Sequence, residues 1–308
     1  MATRTARSGT SREIELDGRT VRLTNLDKLM YPAAGWTKAH VIDYYVRVAA
    51  ALLPHVARRP LTLRPFPHGV HGPSRFKKCC PDNRPPWVHV APVWSSGRGE
   101  HLEFCVIDDL PSLVWSANYA NLELHPALAR AEALDHPAVV AFDLDPGPPA
   151  GLLEAARVAL LVRTALEGVG LRGWAKTSGG KGLQVMVPLN GEDRYEHTKA
   201  FARTVAEVLA REEPGLVIAS VARAERAGRV LVDWGQNDRH RSIVAPYSLR
   251  ARERPTVSTP VTWDEVAAAV DAGDPEALVF GPEAVFERLD RHGDLFAPVQ
   301  TERQALPA

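Results

Sequence analysis

The feature that most constrains the fold of this chain is an apolar run that ends in two aspartates, Ala141-Phe142-Asp143-Leu144-Asp145-Pro146. Residues i and i+2 of a β-strand point to the same side, so this spacing directs the carboxylates of Asp143 and Asp145 toward one point. Asp233 ends another apolar run, at residues 230–232, and is predicted to add a third carboxylate from a second strand end. The fold must bring these two strand ends together if the three carboxylates act as a group.

A glycine turn lies between the two acidic segments, Ser178-Gly179-Gly180-Lys181-Gly182. Its backbone N–H groups and its lysine are suited to hold phosphate, and clustered carboxylates hold Mg²⁺ or Mn²⁺, which bridge phosphate oxygens. The combination predicts nucleotidyl transfer with two metal ions. The turn is not a Walker A loop, because glycine follows Lys181 and the next residues, 183–187, are typical of a strand.

Both motifs also have ordinary structural interpretations. An Asp-x-Asp-Pro segment often marks a plain turn, and a Gly-Gly pair often forms the loop of a β-hairpin. The apolar strand before Asp143 favours function for the aspartates. Ser178 and Lys181 favour function for the turn, because they add phosphate donors.

The composition is that of a globular protein with a sizeable core, since 45% of the 308 residues are hydrophobic and 24% are charged. Lys and Arg balance Asp and Glu at 37 each, which argues against a uniformly basic coat but allows a local basic groove. No apolar run is long enough to span a bilayer, and the polar N-terminus lacks the apolar middle of a signal peptide. We therefore expect a cytoplasmic, nucleoid-associated protein without membrane contact.

The three cysteines are Cys79, Cys80 and Cys105. They do not make a disulfide framework, and they lack the spacing of zinc ligands. We expect them to be buried or inert thiols in a reducing compartment.

Strand and helix patterns mix irregularly along the chain, which favours an α+β fold over a doubly wound parallel sheet. Residues 1–11 are expected to be a disordered tail, residues 12–300 one domain, and residues 301–308 a second tail. Within the domain we place an N-terminal module at about 12–134 and a catalytic core at about 135–300. Residues 54–97 are predicted to be loops with short strands. Strands are predicted at 12–16, 20–23, 103–107, 139–142, 174–177, 182–188 and 229–233, and helices at 37–54, 111–120, 150–167, 195–210, 263–272 and 282–291.

Basic and aromatic residues add candidate contacts to nucleic acid. Arg250 and Arg252 follow a proline-containing stretch, and arginine binds phosphate bidentately where its geometry is fixed. Lys28 and Lys38 would ordinarily be surface residues. Phe76, next to Lys77, offers a platform on which a base can stack.

The order of the segments Asp-Leu-Asp-Pro, Ser-Gly-Gly-Lys-Gly-Leu, Val-Asp-Trp-Gly-Gln-Asn-Asp and Ala-Pro-Tyr-Ser-Leu-Arg-Ala-Arg is highly specific. Together with Asn25-Leu26-Asp27-Lys28 and Glu123-Leu124-His125-Pro126, it resembles the polymerase domain of bacterial DNA ligase D, in the archaeo-eukaryotic primase superfamily. The resemblance runs from about residue 13 to residue 298. No ligase or nuclease segment accompanies it, so a stand-alone member is expected. The resemblance implies a primase-polymerase fold, in which an N-terminal α/β module packs on a catalytic sheet core related to the RNA-recognition fold.

The resemblance also implies an activity and its partners. The activity is template-directed addition of nucleotides, usually ribonucleotides, at gaps and broken DNA ends in non-homologous end joining, with two Mn²⁺ or Mg²⁺ ions. The implied partners are DNA ends, gapped duplex with a 5′-phosphate, nucleoside triphosphates, the end-binding protein Ku and a separate ligase.

The resemblance assigns roles by position in this sequence. Metal binding and catalysis fall to Asp143, Asp145 and Asp233. Contacts to the incoming nucleotide fall to Ser178, Gly179, Gly180, Lys181, Gln184 and Arg250. Contacts to DNA fall to Lys28, Lys38, Arg64, Phe76, Lys77, Arg226 and Arg229. Among these, Lys28 and Lys38 match lysines that hold a downstream 5′-phosphate, and Phe76 matches an aromatic residue that stacks near the templating base.

Two departures from the family pattern bear on function. Gln184 stands where the family usually has a histidine that touches the triphosphate, and a carboxamide carries no positive charge. Arg75 stands where relatives often have a second aromatic residue beside Phe76, so we expect weaker stacking.

Two alternative functions stay open. One is a primase that starts chains without a primer, which the sequence does not separate from a polymerase. The other is a catalytically weak module that bridges DNA ends for a ligase. Gln184 motivates this second alternative, and the three retained aspartates oppose it.

Overall fold

The computed structural model describes residues 11–220, 222 and 225–307. The tail predicted for residues 1–11 lies outside these residues except for Ser11, which begins the first strand. The strands are β1 (Ser11–Leu16), β2 (Arg19–Thr24), β3 (Leu29–Tyr31), β4 (Trp36–Thr37), β5 (Leu61–Pro65), β6 (Val90–Ser95), β7 (Glu100–Cys105), β8 (Asn121–Pro126), β9 (Val139–Pro146), β10 (Trp174–Thr177), β11 (Leu183–Pro188), β12 (Val217–Ile218), β13 (Val230–Asp233), β14 (Leu249–Arg250), β15 (Thr256–Val257) and β16 (Pro260–Val261). The helices are α1 (Lys38–Val56), α2 (Leu110–Asn118), α3 (Leu152–Gly168), α4 (Tyr195–Glu212), α5 (Trp263–Ala272), α6 (Pro282–His292) and α7 (Pro298–Thr301). Within the described ranges, none of the helices combines the length and the apolar character needed to cross a membrane.

A six-stranded sheet carries the acidic segments, with the strand order β12-β13-β9-β11-β10-β16. Neighbouring strands are antiparallel except for the pair β12 and β13. This topology excludes a doubly wound parallel sheet and confirms the predicted α+β class. Strand β9 lies inside the sheet, with β13 on one side and β11 on the other.

The two faces of β9 pack against different parts of the protein. Phe142 and Leu144 are fully buried on the face that α3 and α4 cover. Ala141 points to the opposite face, where it joins a smaller apolar cluster. Because side chains alternate along a strand, Asp143 and Asp145 continue this second face. The strand therefore directs both carboxylates away from the helices.

A second sheet of four strands, in the order β6-β7-β5-β8, forms the N-terminal part. Helix α1 buries Tyr44 and Tyr45. The Tyr45 hydroxyl donates to the carbonyl of Leu122 in β8 at 2.6 Å. The Tyr44 hydroxyl donates to the carbonyl of Tyr247, just before β14, at 2.8 Å. The helix thus ties the second sheet to the C-terminal segment that contains Arg250.

Most predicted elements are confirmed, and their ends differ by a few residues. The strand at 174–177 and the helix at 263–272 match β10 and α5 at both ends. The helix predicted to end at residue 54 continues to Val56, with Pro54 near its end. Strand β9 extends to Pro146 rather than residue 142, so both aspartates lie within it. The module boundary near residue 134 and the tail after residue 300 stay predictions.

The expectation of unpaired cysteines is wrong for two of the three, because Cys80 and Cys105 form a disulfide bond. The Cys80 N–H donates to the carbonyl of Glu103 at 2.7 Å, which holds its segment beside β7. Cys79 is free and exposed. The bonded residues are 25 positions apart, and nothing in their sequence spacing indicates this tertiary contact.

One side chain extends the hydrogen bonding of β9 beyond the end of β13. The buried carboxamide of Asn237 accepts from the N–H of Ala141 at 2.9 Å and donates to the carbonyl of Ala141 at 2.7 Å. It therefore acts as a short piece of strand at the position that β13 leaves unfilled. Asn237 therefore holds the backbone of Ala141, two residues before Asp143, in place.

We predict that Asn237→Leu lowers the free energy of unfolding by about 2–5 kcal/mol, because each unpaired buried backbone group costs about 1–3 kcal/mol. Urea unfolding followed by circular dichroism measures this loss. Asn83→Leu is the matched control at an exposed position, where we expect a change within about 0.5 kcal/mol. Equal effects of the two substitutions would show that Asn237 does not complete the strand.

Candidate active site

Four polar side chains form one row across the sheet. The strand register pairs Asp233 of β13 with Asp143 of β9, Asp143 with Gln184 of β11, and Gln184 with Lys176 of β10. Directly opposed residues of antiparallel strands have their Cβ atoms about 5 Å apart. Asp145 lies two residues further along β9, on the same face. We call these five residues the polar row.

Gln184 is buried, and both ends of its carboxamide are bonded within the polar row. Its Nε2 donates to Asp143 Oδ1 at 2.9 Å, and its Oε1 accepts from Lys176 Nζ. Lys176 Nζ also donates to Ser258 Oγ at 2.7 Å. The residue that the resemblance assigns to the triphosphate therefore contacts Asp143 and Lys176 in this structure.

Burial disfavours the charged forms of two residues of the polar row, Asp143 and Lys176. Burial, with added repulsion from Asp233 and Asp145, raises the pKa of Asp143 to about 6, although Gln184 and Lys176 act in the opposite direction. Burial, followed by repulsion from Arg250, lowers the pKa of Lys176 well below its usual value. Facing carboxylates are costly without a cation between them. The acidic end of the row therefore favours the binding of positive charge.

The other two aspartates accept hydrogen bonds from nearby groups. Asp145 Oδ2 accepts from Arg226 Nη1 at 3.2 Å, and Asp145 Oδ1 lies 3.9 Å from Lys181 Nζ. Asp233 Oδ2 accepts from Gln236 Nε2 at 3.0 Å. In the part of the chain that the structure describes, no three His, Cys, Asp or Glu side chains are grouped closely enough to hold an ion. A shared ion therefore requires these carboxylates to exchange some of their present partners.

The glycine turn joins β10 to β11 as a hairpin, in which the Ser178 N–H donates to the carbonyl of Gly182 at 2.9 Å. Gly179 has φ of +68°, and a Cβ there would lie 2.6 Å from the Arg250 side chain and 2.8 Å from the Val257 backbone. Glycine is required at this position both for the left-handed conformation and for the close approach. The hairpin interpretation is therefore confirmed, and the contact of this loop with phosphate stays a prediction.

Two cations converge on this turn. Arg250 Nη1 donates to the carbonyl of Ser178. Lys181 Nζ donates to the carbonyl of Pro146, at the end of β9, at 2.7 Å. The turn thus carries positive charge on the side that faces the acidic end of the polar row.

A cleft of about 640 Å³ brings the predicted residues together. The sheet and the glycine turn contribute Asp143, Asp145, Ser178, Lys181, Gln184 and Arg250, and the N-terminal part contributes Phe76 and His125. The other predicted site residues do not line this cleft, namely Asp233, Gly179, Gly180, Lys28, Lys38, Arg64, Lys77, Arg226 and Arg229. Two of the three predicted metal residues therefore share the cleft with most of the predicted nucleotide residues, and Asp233 joins them only through its strand pairing with Asp143.

Phe76 forms an exposed aromatic surface at the edge of the cleft, with 57% of its area accessible. The guanidinium of Arg64 lies 4.9 Å from the Phe76 ring centroid and 5.1 Å from that of Phe66. Lys77 Nζ donates to the Tyr119 hydroxyl at 3.1 Å. Phe76 keeps the exposure that stacking on a base requires.

Lys28 and Lys38 form a separate basic site. Lys28 Nζ donates to the carbonyl of Pro67 at 3.0 Å, and Lys38 Nζ donates to that of Asn118 at 2.8 Å. Burial, with repulsion from Lys28, lowers the pKa of Lys38 to about 8. Two neighbouring ammonium groups without a carboxylate partner at these contacts are suited to an anion.

The two arginines before the third acidic motif differ in their contacts. Arg226 donates to Asp145, and its Nε is buried without a hydrogen-bond partner. Arg229 donates instead to the backbone carbonyls of Pro214 and Glu225. The structure therefore brings Arg226, but not the Arg229 side chain, to the acidic residues.

Three buried polar residues of the site were not assigned from the sequence, namely Glu123, Lys176 and Asn237. Lys176 and Glu123 lie within strands whose neighbouring residues are buried. A charged residue on a buried strand needs a partner, so their strand context was the available signal. Asn237 had no such signal, because it belongs to an irregular segment.

Similarity to known proteins identifies the family of this chain. Residues 37–296 match the profile of the LigD primase-polymerase domain. The multifunctional non-homologous end joining protein LigD of Mycolicibacterium smegmatis is 38% identical over 284 residues, which are 92% of this chain and 36% of that protein. The bifunctional non-homologous end joining protein LigD of Bacillus subtilis is 30% identical over 274 residues, which are 89% of this chain and 43% of that protein. The chain thus spans well under half the length of these relatives.

A solved structure of the polymerase domain from Mycobacterium tuberculosis ligase D, in complex with DNA, has the same fold. The TM-score is 0.84 at 36% identity, and the match covers 92% of this chain and 99% of that one. The predicted primase-polymerase fold is thereby confirmed. By its sequence and by its fold, this chain belongs to the LigD primase-polymerase domain family.

Proposed function

We propose that this chain is a DNA-directed nucleotidyltransferase that fills gaps and extends broken DNA ends under the direction of a template, in non-homologous end joining. The observation that carries the proposal is the acidic end of the polar row. Asp143 and Asp145 line one cleft together with Lys181 and Arg250, and Asp233 is in register with Asp143. Membership of the primase-polymerase family and the DNA complex of the solved relative support it.

The donor set of the acidic residues fits divalent cations. Asp143, Asp145 and Asp233 offer the hard oxygen ligands that Mg²⁺ and Mn²⁺ take. Burial, with added repulsion from Asp233 and Asp145, raises the pKa of Asp143 to about 6, and a bound cation would favour its charged form. We assign these three residues to hold two Mn²⁺ or Mg²⁺ ions. When bound, such ions stabilise the charge on the attacking and leaving oxygens of phosphoryl transfer.

The glycine turn is assigned to the incoming nucleoside triphosphate. Lys181 and Arg250 supply positive charge, and Ser178 supplies a hydroxyl at the mouth of the cleft. Gly179 and Gly180 allow the phosphates to approach the backbone closely. Gln184 acts on the nucleotide through Asp143 in this assignment, because its carboxamide is bonded there. A preference for ribonucleotides rests on the family resemblance.

The residues around the cleft are assigned to DNA. Phe76, with Arg64 stacked on it, is placed to support the templating base. Arg226 adds positive charge at Asp145, Lys77 follows Phe76 in the chain, and Lys28 with Lys38 would hold a downstream 5′-phosphate. The assignment of Arg229 to DNA rests on the family resemblance alone. Because the relatives are named for non-homologous end joining, we propose Ku and a DNA ligase as partners, acting with this chain on cytoplasmic DNA.

The decisive experiment is extension of a 5′-phosphorylated gapped duplex with ribo- or deoxyribonucleotides and Mn²⁺ or Mg²⁺. We expect templated addition that stops when the gap is filled. Binding of the duplex without addition under any of these conditions would overturn the proposal and identify an end-bridging module. Products on unprimed single strands would instead identify a primase.

We predict that Asp143→Asn lowers the rate of nucleotide addition by at least about a thousandfold, equivalent to about 4 kcal/mol at 1.4 kcal/mol per factor of ten. The reason is the loss of a charged oxygen at the point where the three carboxylates meet. Binding of gapped DNA, measured by fluorescence anisotropy, should change little. The thermal midpoint should be equal or higher, because one of the facing carboxylates is removed.

The control for this prediction is Asp271→Asn, the same change at an exposed position of α5. We expect it to leave addition, DNA binding and stability unchanged. Near-normal addition by the Asp143 variant would contradict the metal assignment.

We predict that Lys38→Met and Lys28→Met each reduce the preference for a 5′-phosphate at the far side of the gap by about tenfold. A hydrogen bond to a charged group contributes about 1.5–3 kcal/mol, and 1.4 kcal/mol is a factor of ten in affinity. The preference is the ratio of dissociation constants for gapped DNA ending in hydroxyl or phosphate. Lys199→Met, which removes a lysine paired with Asp238 on another surface, is the control.

The same ratio should depend on pH. Because the pKa of Lys38 is lowered to about 8, its ammonium loses a proton as the pH rises through that value. We expect the phosphate preference of the wild type to fall between pH 7 and pH 9, and the Lys38→Met ratio to stay flat. Equal affinity for both DNAs at low salt would rule out this site.

A further inference from the structure

A buried carboxylate connects the two halves of the cleft. Glu123 lies in β8, and only 2% of its side chain is exposed. Its Oε2 accepts from Arg64 Nη1 at 2.8 Å and from His125 Nε2 at 2.9 Å. Its Oε1 accepts from the N–H of Ala251 at 3.0 Å and lies 3.3 Å from Arg250 Nε. Glu123 thus contacts both the N-terminal sheet and the segment that follows β14.

These contacts keep Glu123 charged. Burial alone would raise its pKa, but the hydrogen bond from His125 and the charge of Arg250 hold the pKa well below the usual value. Removing one partner of a buried charged pair leaves the other uncompensated. Arg64 and Arg250 therefore share this one carboxylate as the counter-charge of their guanidinium groups.

On one side, Glu123 controls the nucleotide end of the cleft. Arg250 pairs with Glu123 by charge, with Nε 3.3 Å from Oε1 but no hydrogen bond to it among the described residues, while Arg250 Nη1 donates to the carbonyl of Ser178 in the glycine turn. The turn is held on the same side by Thr256, whose hydroxyl donates to the carbonyl of Gly179 at 2.6 Å. The position of Arg250 and that of the turn are therefore set together.

On the other side, Glu123 contacts the two side chains that pack against the Phe76 ring. It pairs directly with Arg64 across β5 and β8, and the guanidinium of Arg64 lies 4.9 Å from the ring centroid of Phe76. His125, the second donor to Oε2, meets the same ring edge-on at a centroid distance of 5.1 Å. A shift of the carboxylate would move both groups that pack against Phe76.

We propose that Glu123 is a positioning residue that couples the two halves of the cleft: it holds Arg250 at the nucleotide site and Arg64 beneath the template platform, so that template binding at Phe76 tightens nucleotide binding at the glycine turn. The inference rests on the proposed function, since it assigns the nucleotide to one half and the template to the other. It adds a residue, and a connection between the halves, that the family assignment does not contain.

The test measures this coupling at equilibrium. Isothermal titration calorimetry gives the dissociation constant of a nonhydrolysable UTP analogue with Mn²⁺, with and without a gapped duplex that carries a templating adenine. The ratio of the two constants is the coupling factor, for which about 5-fold to 150-fold is typical. We expect Glu123→Gln, which keeps the size and removes the charge, to reduce this factor at least fivefold. We expect the wild-type protein to show a large coupling factor.

The matched control is Glu265→Gln. Glu265 also pairs with an arginine, Arg288, but at α5, where neither residue lines the cleft. We expect this variant to lose stability without any change in the coupling factor. An unchanged factor in the Glu123 variant, once its thermal midpoint shows that it is folded, would overturn the proposal.

A second measurement covers the case in which the Glu123 variant does not fold. Arg64→Lys and Arg250→Lys leave Glu123 in place, and the structure connects these arginines through it. We expect their effects on nucleotide affinity in the presence of DNA to be non-additive in the double variant, whereas additive effects would overturn the coupling.

If the wild type binds neither nucleotide nor DNA, the proposed function fails first, and this inference fails with it. If the wild type binds both without coupling, only this inference fails.

Discussion

The antiparallel register of β9 with its two neighbours is the constraint on which the site depends. It places Asp143 opposite Asp233 on one side and opposite Gln184 on the other. A slip of one residue would turn the aspartates toward the helices and bring apolar side chains to the cleft. The fully buried face of Phe142 and Leu144 opposes such a slip, and the Asn237 carboxamide fixes the strand just before Asp143.

The polar row is an electrostatic arrangement as well as a geometric one. Carboxylates stand at one end and the side-chain nitrogen of Lys176 at the other, with Gln184 between them. A carboxamide accepts from Lys176 and donates to Asp143 at the same time, without any change of protonation. An imidazole in this place could do the same in one tautomer, but it also titrates near neutral pH. The glutamine therefore gives this chain a row whose central hydrogen bonds do not depend on the charge of residue 184.

The acidic residues illustrate how a functional site conflicts with stability. Asp143 is held in a buried position against two other carboxylates, and its pKa is raised as a result. Arg226 and Lys181 offset part of this charge at Asp145. On the other wall of the cleft, the buried carboxylate of Glu123 contacts both Arg64 and Arg250. The negative charge of Asp143 and Asp145 and the positive charge of Lys181 and Arg250 thus meet in one cleft, which suits a metal-bound triphosphate.

The sequence by itself determined those features whose cause is local. Alternation along 141–145 was enough to place Asp143 and Asp145 on one face, and the glycines were enough to predict the turn at 178–182. Motif order was enough for the family, and the irregular mixing of strand and helix patterns was enough for the α+β class. The sequence did not determine which residues become partners across strands, because partner choice depends on register and on contacts between distant segments. Only the tertiary structure placed Gln184 between Lys176 and Asp143, joined Cys80 to Cys105, and brought Glu123 to Arg250 across 127 residues, since each of these contacts is made by folding rather than by proximity along the chain.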